Sequence, residues 1–238
     1  MCIRDSAFAL RKRAIGVIPL ERYVVDGMMT AAQAGFLVRA VREHQNVLIA
    51  GATSSGKTTL ANALLAEIAA TGDRVLVLED TVELQCAARD HVPLRTRQGV
   101  VSMTELVRSS MRLRPDRVVV GEVRGAEALD LIKVWGTGHP GGIATIHAGS
   151  ALGALLRLEQ LILEVAVNPP RALIAEAVNV VIHIAGRGRK RRIESIARVV
   201  GFDGAGYHLA EALKAPFPEL TPPSDLSSPS LDPPGELS

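Results

Sequence analysis

GATSSGKT, at residues 51–58, matches the pattern GxxxxGK[ST] at every specified position. The apolar run NVLIA at residues 46–50 predicts a buried strand before it, and the apolar spacing of residues 57–70 predicts a helix after it. A strand, a glycine-rich turn and a helix in this order bind phosphate, because backbone N–H groups and the positive helix end face the anion. The residues expected to bind the nucleotide are Gly51, Ala52, Thr53, Ser54, Ser55, Gly56, Lys57, Thr58 and Thr59.

Two side chains of this loop carry the expected chemistry. In loops of this kind the lysine, here Lys57, contacts the β and γ phosphates, and the following hydroxyl, here Thr58, is placed for Mg²⁺. The loop therefore predicts a nucleoside triphosphate with Mg²⁺, and by itself it does not separate an ATPase from a kinase or a GTPase. The alternative is an accidental Gly/Ser turn, which the strand and helix on either side disfavour.

Strands and helices alternate on the C-terminal side of the loop. Strands are predicted at residues 74–78, 117–120 and 142–146, and helices at residues 103–113, 126–135, 151–164 and 171–177. Continuous β-branched runs alternating with helices favour an α/β fold with a mostly parallel sheet and helices on both faces. Short strands at residues 179–185, 191–200 and 207–210 are expected to form an antiparallel C-terminal edge. A helix at residues 30–44, capped by Thr30, precedes the loop.

The composition excludes several classes of protein. The 238 residues are 47% hydrophobic and 22% charged with a net charge of +2, so nucleic acid binding is not expected. Two cysteines are too few for a disulfide framework and suit a reducing compartment. The longest segment without charged residues, 134–156, is too rich in glycine to form a membrane helix, and no signal peptide is visible, so we expect a cytoplasmic protein.

Three further polar clusters follow predicted strands. They are LEDTVEL at residues 78–84, VGEVRG at residues 120–125 and GHPGGIATIHAGS at residues 138–150. The carboxyl ends of parallel strands meet at one edge of a sheet, so we expect these clusters to lie beside the phosphate loop. Each cluster alone is weak, because an acidic strand end is often a helix cap and a single histidine is more often a packed core residue.

In this order the four segments resemble the secretion ATPase superfamily, and within it the traffic ATPases of type IV secretion, most of all the TrbB type of plasmid conjugation. The likeness extends from about residue 8 to residue 212. It implies a RecA-like P-loop ATPase that forms a ring-shaped homohexamer and hydrolyses ATP to power pilus assembly and substrate transfer. It also implies a place at the cytoplasmic face of the inner membrane, reached through the membrane components of the secretion system.

The same resemblance implies roles for individual residues. Glu122 matches the glutamate that orients or activates the attacking water. Glu79, Asp80 and Glu83 match the acidic box of the metal and water network, and His147 matches the histidine that senses the nucleotide state. The expected catalytic set is Glu122, Lys57, Glu79, His147, Arg114 and Arg124, and the expected metal set is Thr58, Asp80 and Glu83.

Two features near the third strand leave alternatives open. Arg114 and Arg124 flank this strand and are candidates for stabilising charge on the transferred phosphoryl group, but surface salt bridges explain them equally well. Gly121 stands where many such ATPases have a metal-binding aspartate, and Asp116 lies at the wrong end of the strand to replace it. We therefore expect Thr58, phosphates and water to hold Mg²⁺, with the carboxylates acting on it through bound water.

The resemblance divides the chain into three parts. Residues 1–45 are expected to be the remnant of an N-terminal domain and its linker, since family members carry a larger domain there. Residues 46–212 are the expected ATPase domain, and residues 213–238 are an expected disordered Pro/Ser-rich tail. The sequence thus suggests a truncated chain that lacks adenine contacts and part of the ring interface. The basic run RGRKRR at residues 187–192 is interpreted as a solvated hairpin turn.

Three alternative functions remain. One is a nucleotide-binding assembly module without turnover, since the N-terminal domain is expected to be short. Another is a type II secretion or type IV pilus ATPase, against which the HAGS ending of the histidine segment and the lack of a Cys-rich segment count. A nucleotide kinase is the third, and it would need an acceptor-binding lid that the sequence does not show.

Overall fold

A computed structural model describes residues 16–214, and the remaining parts of the predicted N-terminal remnant and C-terminal tail lie outside the described residues. The helices are α1 (Leu20–Val25), α2 (Ala31–Arg42), α3 (Lys57–Ile68), α4 (Met103–Ser110), α5 (Glu127–Gly136), α6 (Ala151–Ile162) and α7 (Arg171–Ala177). The strands are β1 (Val47–Gly51), β2 (Val75–Glu79), β3 (His91–Arg95), β4 (Arg117–Val120), β5 (Ile143–Ile146), β6 (Val180–Ala185), β7 (Arg192–Phe202) and β8 (Tyr207–Lys214).

The strands form one sheet in the order β3-β2-β4-β5-β1-β6-β7-β8. All pairings from β3 to β6 are parallel, and the pairs β6–β7 and β7–β8 are antiparallel. The predicted α/β class with an antiparallel C-terminal edge is therefore confirmed. Residues 179–185 belong to that edge on one side only, because β6 pairs in parallel with β1 and antiparallel with β7, the one described strand that runs against the others.

Helices cover both faces of the sheet, as the continuous apolar strands predicted. One core contains side chains from α4, α5, α6 and α7, and the other contains side chains from α1, α2 and α3. On α5 the predicted apolar face is buried, with Leu131 and Ile132 fully enclosed and Lys133 exposed. Burying a side chain of the size of Leu131 contributes about 1.5–3 kcal/mol.

Some helix and strand boundaries agree with the predictions and others differ. Thr30 caps α2 as expected, accepting a hydrogen bond from the backbone N–H of Gln33. The helix predicted at residues 103–113 is α only to Ser110 and continues as a 3₁₀ turn, Met111–Leu113, before Arg114 takes a left-handed conformation. Helix α1 was not predicted, and the last strand runs to Lys214, past the expected domain boundary at residue 212.

One strand was missed entirely. The sequence HVPLR at β3 alternates between exposed and half-buried residues, and Pro93 lies within it. A proline cannot donate to a ladder, so this pattern fits only an edge strand, which is where β3 lies. Among the described residues, no helix combines the length and the apolar character that crossing a membrane requires.

Candidate active site

The phosphate loop connects β1 to α3 in the conformation that anion binding requires. Ser54 has a φ of +62° and Gly56 a φ of +101°, and α3 begins at the next residue, Lys57. These left-handed residues turn the chain so that successive backbone N–H groups face one concave space. The Ser55 hydroxyl is buried there without a hydrogen-bond partner, so the loop has unused polar capacity that a phosphate would satisfy.

Lys57 lies inside this loop and is only 7% exposed. Its ammonium group donates to the carbonyl oxygens of Gly51 at 3.0 Å and Ala52 at 3.2 Å. It also lies 3.4 Å from Nδ1 of His147, which stands directly after β5. The lysine is thus already placed at the loop, and the histidine segment reaches it across the sheet edge.

His147 joins the loop to Glu122. Its Nε2 atom lies 2.6 Å from Oε1 of Glu122, whose side chain is only 16% exposed. Because the ammonium of Lys57 can only donate, Nδ1 of His147 accepts, and Nε2 then carries the proton that faces Glu122. The other carboxylate oxygen of Glu122 pairs with the guanidinium of Arg124, whose Nε atom lies 2.6 Å away.

This environment keeps His147 neutral. Partial burial lowers the pKa of His147, the positive charge of Lys57 lowers it further, and the carboxylate of Glu122 opposes both. Desolvation and a neighbouring cation disfavour the imidazolium, so the neutral tautomer persists to lower pH than in a free histidine.

Glu79, the last residue of β2, and Asp80, which follows it, make different contacts. Glu79 is only 5% exposed, and its Oε1 atom accepts backbone N–H groups from Glu83 at 2.9 Å and Leu84 at 2.7 Å. Its carboxylate therefore shapes the loop that follows. Asp80 is exposed, accepts the hydroxyl of Thr96 at 2.8 Å and lies 3.9 Å from Arg124, so it belongs to the Glu122 side of the site.

Of the two predicted arginines, only Arg124 joins the cluster. Arg114 precedes β4, whose four residues separate the two ends of the strand by about 13 Å. Its exposed side chain lies at the amino end of the strand, together with Asp116, which accepts the backbone N–H of Arg74. Within one chain Arg114 is therefore not beside the phosphate loop.

Sequence reasoning missed two side chains that position the site. Thr145 on β5 is buried, and its hydroxyl donates to the carbonyl oxygen of Gly121 at 2.7 Å, which fixes the segment carrying Glu122 against β5. Glu127, in the first turn of α5, accepts the backbone N–H groups of Arg124 and Gly125. No sequence signal identified Thr145, whereas a carboxylate in the first helical turn is an ordinary capping signal.

A third missed residue is Arg191 in the basic turn. The turn was correctly predicted for Arg187, which is exposed directly before a 3₁₀ segment, Gly188–Lys190, and for Lys190, the exposed last residue of that segment. It was wrong for Arg191, whose guanidinium donates to the carbonyl oxygen of Ser54 at 3.4 Å. The basic run was visible in the sequence, but its contact with the phosphate loop depends on how β6 lies beside β1.

The residues present fit a magnesium nucleotide. Thr58, half-buried in the first turn of α3, is positioned by sequence to supply a hydroxyl, and Asp80 and Glu83 follow β2 at the same sheet edge. Between residues 16 and 214 no three His, Cys, Asp or Glu side chains are grouped to hold a metal ion. A metal would therefore take most of its ligands from phosphates and water.

The sheet order and this site define an α/β protein of the RecA-like P-loop type. Comparison with known proteins names the family. Residues 9–193 match the family described as Type II/IV secretion system protein, and the chain belongs to this family. It is 48% identical over 207 residues to a conjugal transfer protein TrbB of Rhizobium radiobacter, covering 86% of this chain and 64% of that protein.

Other relatives agree with this assignment. The type IV secretion system protein PtlH of Bordetella pertussis is 37% identical over 189 residues, covering 73% of this chain and 56% of that protein. The crystal structure of the VirB11 ATPase of the Brucella suis type IV secretion system, in complex with sulphate, is 32% identical. Its TM-score is 0.63, with 80% of this chain and 60% of that one covered. The chain thus spans under two thirds of the length of these relatives.

The expected resemblance to type IV secretion ATPases of the TrbB and VirB11 type is confirmed. The pilus retraction motor PilT with bound ADP, at 19% identity and a TM-score of 0.58 over 84% of this chain and 54% of that one, shares the fold. Membership of an ATPase family implies nucleotide binding, which agrees with the expected nucleotide cofactor.

Proposed function

We propose that this chain hydrolyses ATP as a motor subunit of a conjugative type IV secretion system. The observation that supports it most is the unbroken contact from Lys57 through His147 to Glu122, which links a phosphate-binding lysine to a carboxylate. The identity to TrbB proteins, which are named conjugal transfer proteins, supports the conjugative role.

In the proposed reaction the loop N–H groups and Lys57 bind the phosphates of ATP. Lys57 exchanges the neutral carbonyl oxygens of Gly51 and Ala52 for phosphate oxygens, because charge-assisted hydrogen bonds are stronger than neutral ones. Mg²⁺, when bound, would neutralise phosphate charge, held by Thr58 and through water by carboxylates of the acidic segment.

Glu122 accepts a hydrogen bond from the attacking water and so aligns it with the γ-phosphorus. The new bond forms between the water oxygen and that phosphorus, the bond to the bridging oxygen breaks, the proton lost by the water passes through Glu122 to the phosphate product, and ADP and phosphate leave. Phosphoryl transfer needs positioning and charge neutralisation more than a strong base. Arg124 donates to Oε2 of Glu122 and so orients the carboxylate, while Oε1 is buried beside His147 without a hydrogen-bond partner and can accept from the water.

The assembly is part of the proposal. By analogy with the family we propose a homohexameric ring that works at the cytoplasmic face of the inner membrane with the membrane components of a type IV secretion system. Sedimentation velocity with and without ATP and Mg²⁺ tests the ring. A nucleotide-dependent shift to a species of about six chains supports it, and a monomer under both conditions contradicts it.

Hydrolysis is tested by phosphate release from purified protein. Glu122→Gln keeps the size of the side chain but removes its charge and replaces one acceptor oxygen with an NH2 donor, so we expect turnover to fall at least 100-fold while ATP still binds. Glu176→Gln, at an exposed position of α7, is the matched control and keeps full activity. Phosphate release that is equal in wild type and Glu122→Gln would refute the assignment.

The same assay separates the alternative functions. ATP binding without phosphate release by the wild type, with a monomeric mass, would instead show a nucleotide-binding assembly module. Phosphoryl transfer to an added nucleoside monophosphate would show a kinase. Either outcome overturns the motor proposal.

A further inference from the structure

Arg191 differs from the other described basic residues of its turn. Arg187 and Lys190 are exposed, whereas Arg191 is half-buried immediately before β7. Its Nε atom is buried without a hydrogen-bond partner. The Nε atom is thus out of water although the Nη2 end stays exposed, which indicates a position set by the surroundings, because solvated arginines keep their donors hydrated.

The surroundings are the outer surface of the phosphate loop. The guanidinium donates to the carbonyl oxygen of Ser54 at 3.4 Å. It also lies against Gly56, since a Cβ atom on this glycine would stand 2.7 Å from Nε of Arg191 and 2.9 Å from its Cδ. Arg191 thus touches both residues of the loop that have left-handed conformations.

The N-terminal segment lies near the arginine. Tyr23 on α1 is 1% exposed, and burial raises its pKa to about 12, while the positive charge of Arg191 opposes that rise. Nearby, the backbone N–H of Ile193 donates to the carbonyl oxygen of Met28 at 2.7 Å. The basic turn is therefore fastened to the segment that leads into α2 and has little freedom to leave the loop.

Ser54 needs such support. A left-handed conformation is sparsely populated for any residue with a side chain, and it persists only when neighbours determine it. The bond from Arg191 holds the Ser54 carbonyl, and the N–H of the same peptide unit, that of Ser55, donates to the carbonyl oxygen of Ala52 at 3.2 Å, so this peptide is held on both sides. The cation also adds positive charge close to the anion site.

We infer that Arg191 is a positioning residue that keeps the phosphate loop in its anion-binding shape and so sets the affinity for the nucleotide. The inference rests on the proposed function, because it concerns the same nucleotide site. It assigns no chemical step to Arg191, so the hydrolysis rate at saturating ATP depends little on this side chain.

The test compares Arg191→Met, which keeps the aliphatic stem, with Arg191→Lys, which keeps a charged donor. Arg187→Met, in the exposed part of the same turn, is the matched control for lost charge. The probe is a fluorescent ADP analogue with Mg²⁺, displaced by unlabelled ADP. Since a hydrogen bond from a charged group is lost, we expect Arg191→Met to weaken ADP binding about tenfold. We expect Arg191→Lys to keep most of the wild-type affinity for ADP. In both variants we expect the turnover at saturating ATP to change less than about threefold.

The readouts distinguish positioning from general destabilisation. A smaller folded fraction would lower the amplitude of ADP binding but leave the dissociation constant of the folded protein unchanged, and that result would overturn the inference. Wild-type affinity in Arg191→Met, or an equal loss in Arg187→Met, would also overturn it while the motor proposal stands. If Arg191→Met does not fold, Arg191→Gln replaces it with the same expected result. A wild-type chain that binds no ADP would overturn both proposals.

Discussion

Nε2 of His147 lies 2.6 Å from Oε1 of Glu122, although the two residues follow different strands of the sheet. The contact arises because β4 and β5 are parallel neighbours whose carboxyl ends meet. On its other side the imidazole faces Lys57, so one neutral ring connects the phosphate loop with the carboxylate.

The activity of the wild type should fall on acidification with a midpoint below pH 6.5. Burial and the charge of Lys57 lower the pKa of His147, and once the ring is protonated Nδ1 can no longer accept from the lysine. Turnover at saturating ATP, measured from pH 5 to 8, checks this. His147→Gln should lose this acid limb and about tenfold in turnover, whereas His208→Gln, in an exposed position, should keep the wild-type profile. An acid limb centred above pH 6.5 would contradict the assignment.

The stability should change in the same pH range. Because the pKa of His147 is lower in the folded state, the unfolded chain binds a proton first as the pH falls through about 6.5. The free energy of unfolding therefore decreases on acidification through this range. Urea unfolding of the wild type and His147→Gln at pH 7.5 and 5.5 should show a smaller decrease for the variant.

Lys57→Met should remove turnover by a factor of at least about 100, since its charge is expected on the phosphates in the transition state. Phosphate release measures the loss. Lys133→Met, on the exposed face of α5, removes an equal charge and should leave turnover unchanged. A comparable loss in both variants would mean that the net charge, and not the position of Lys57, matters.

Glu79 was predicted to be catalytic, but its contacts indicate that it contributes to the stability of the fold. Glu79→Ala leaves the N–H groups of Glu83 and Leu84 without an acceptor and should lower the free energy of unfolding by about 2–3 kcal/mol. Glu79→Gln keeps an oxygen acceptor and should cost less than about 1 kcal/mol. Urea unfolding distinguishes them, and equal effects would show that the charge of Glu79 is what counts.

Asp73 and Arg117 form a buried ion pair at the amino edge of the sheet, away from the proposed chemistry. Nε of Arg117, a fully enclosed residue, lies 2.6 Å from Oδ2 of Asp73. Asp73→Asn leaves the arginine charge buried without its counter-charge, so we expect a loss of about 3 kcal/mol in unfolding free energy. Asp26→Asn, whose pair with Arg22 is exposed, should cost less than about 1 kcal/mol and is the control.

The strands, the covering helices and the edge carrying the site could be predicted from local patterns. Apolar runs and turn residues lie within a few positions of each other, and parallel strands always bring their carboxyl ends together. The remote location of Arg114 could also have been predicted, because it precedes the same strand as Asp116. Strand β3 could not, since an alternating edge strand containing Pro93 has a weak signal.

The sequence by itself determined the phosphate loop, the α/β class and the set of polar groups at one sheet edge, because these follow from residue types at short spacing. The tertiary structure alone decided that Arg191 supports Ser54 from 137 positions away and that Thr145 fixes the segment of Glu122. Such contacts depend on strand order and on the depth at which each side chain is buried. No local periodicity encodes either quantity, so only the folded chain reveals which polar residues act together.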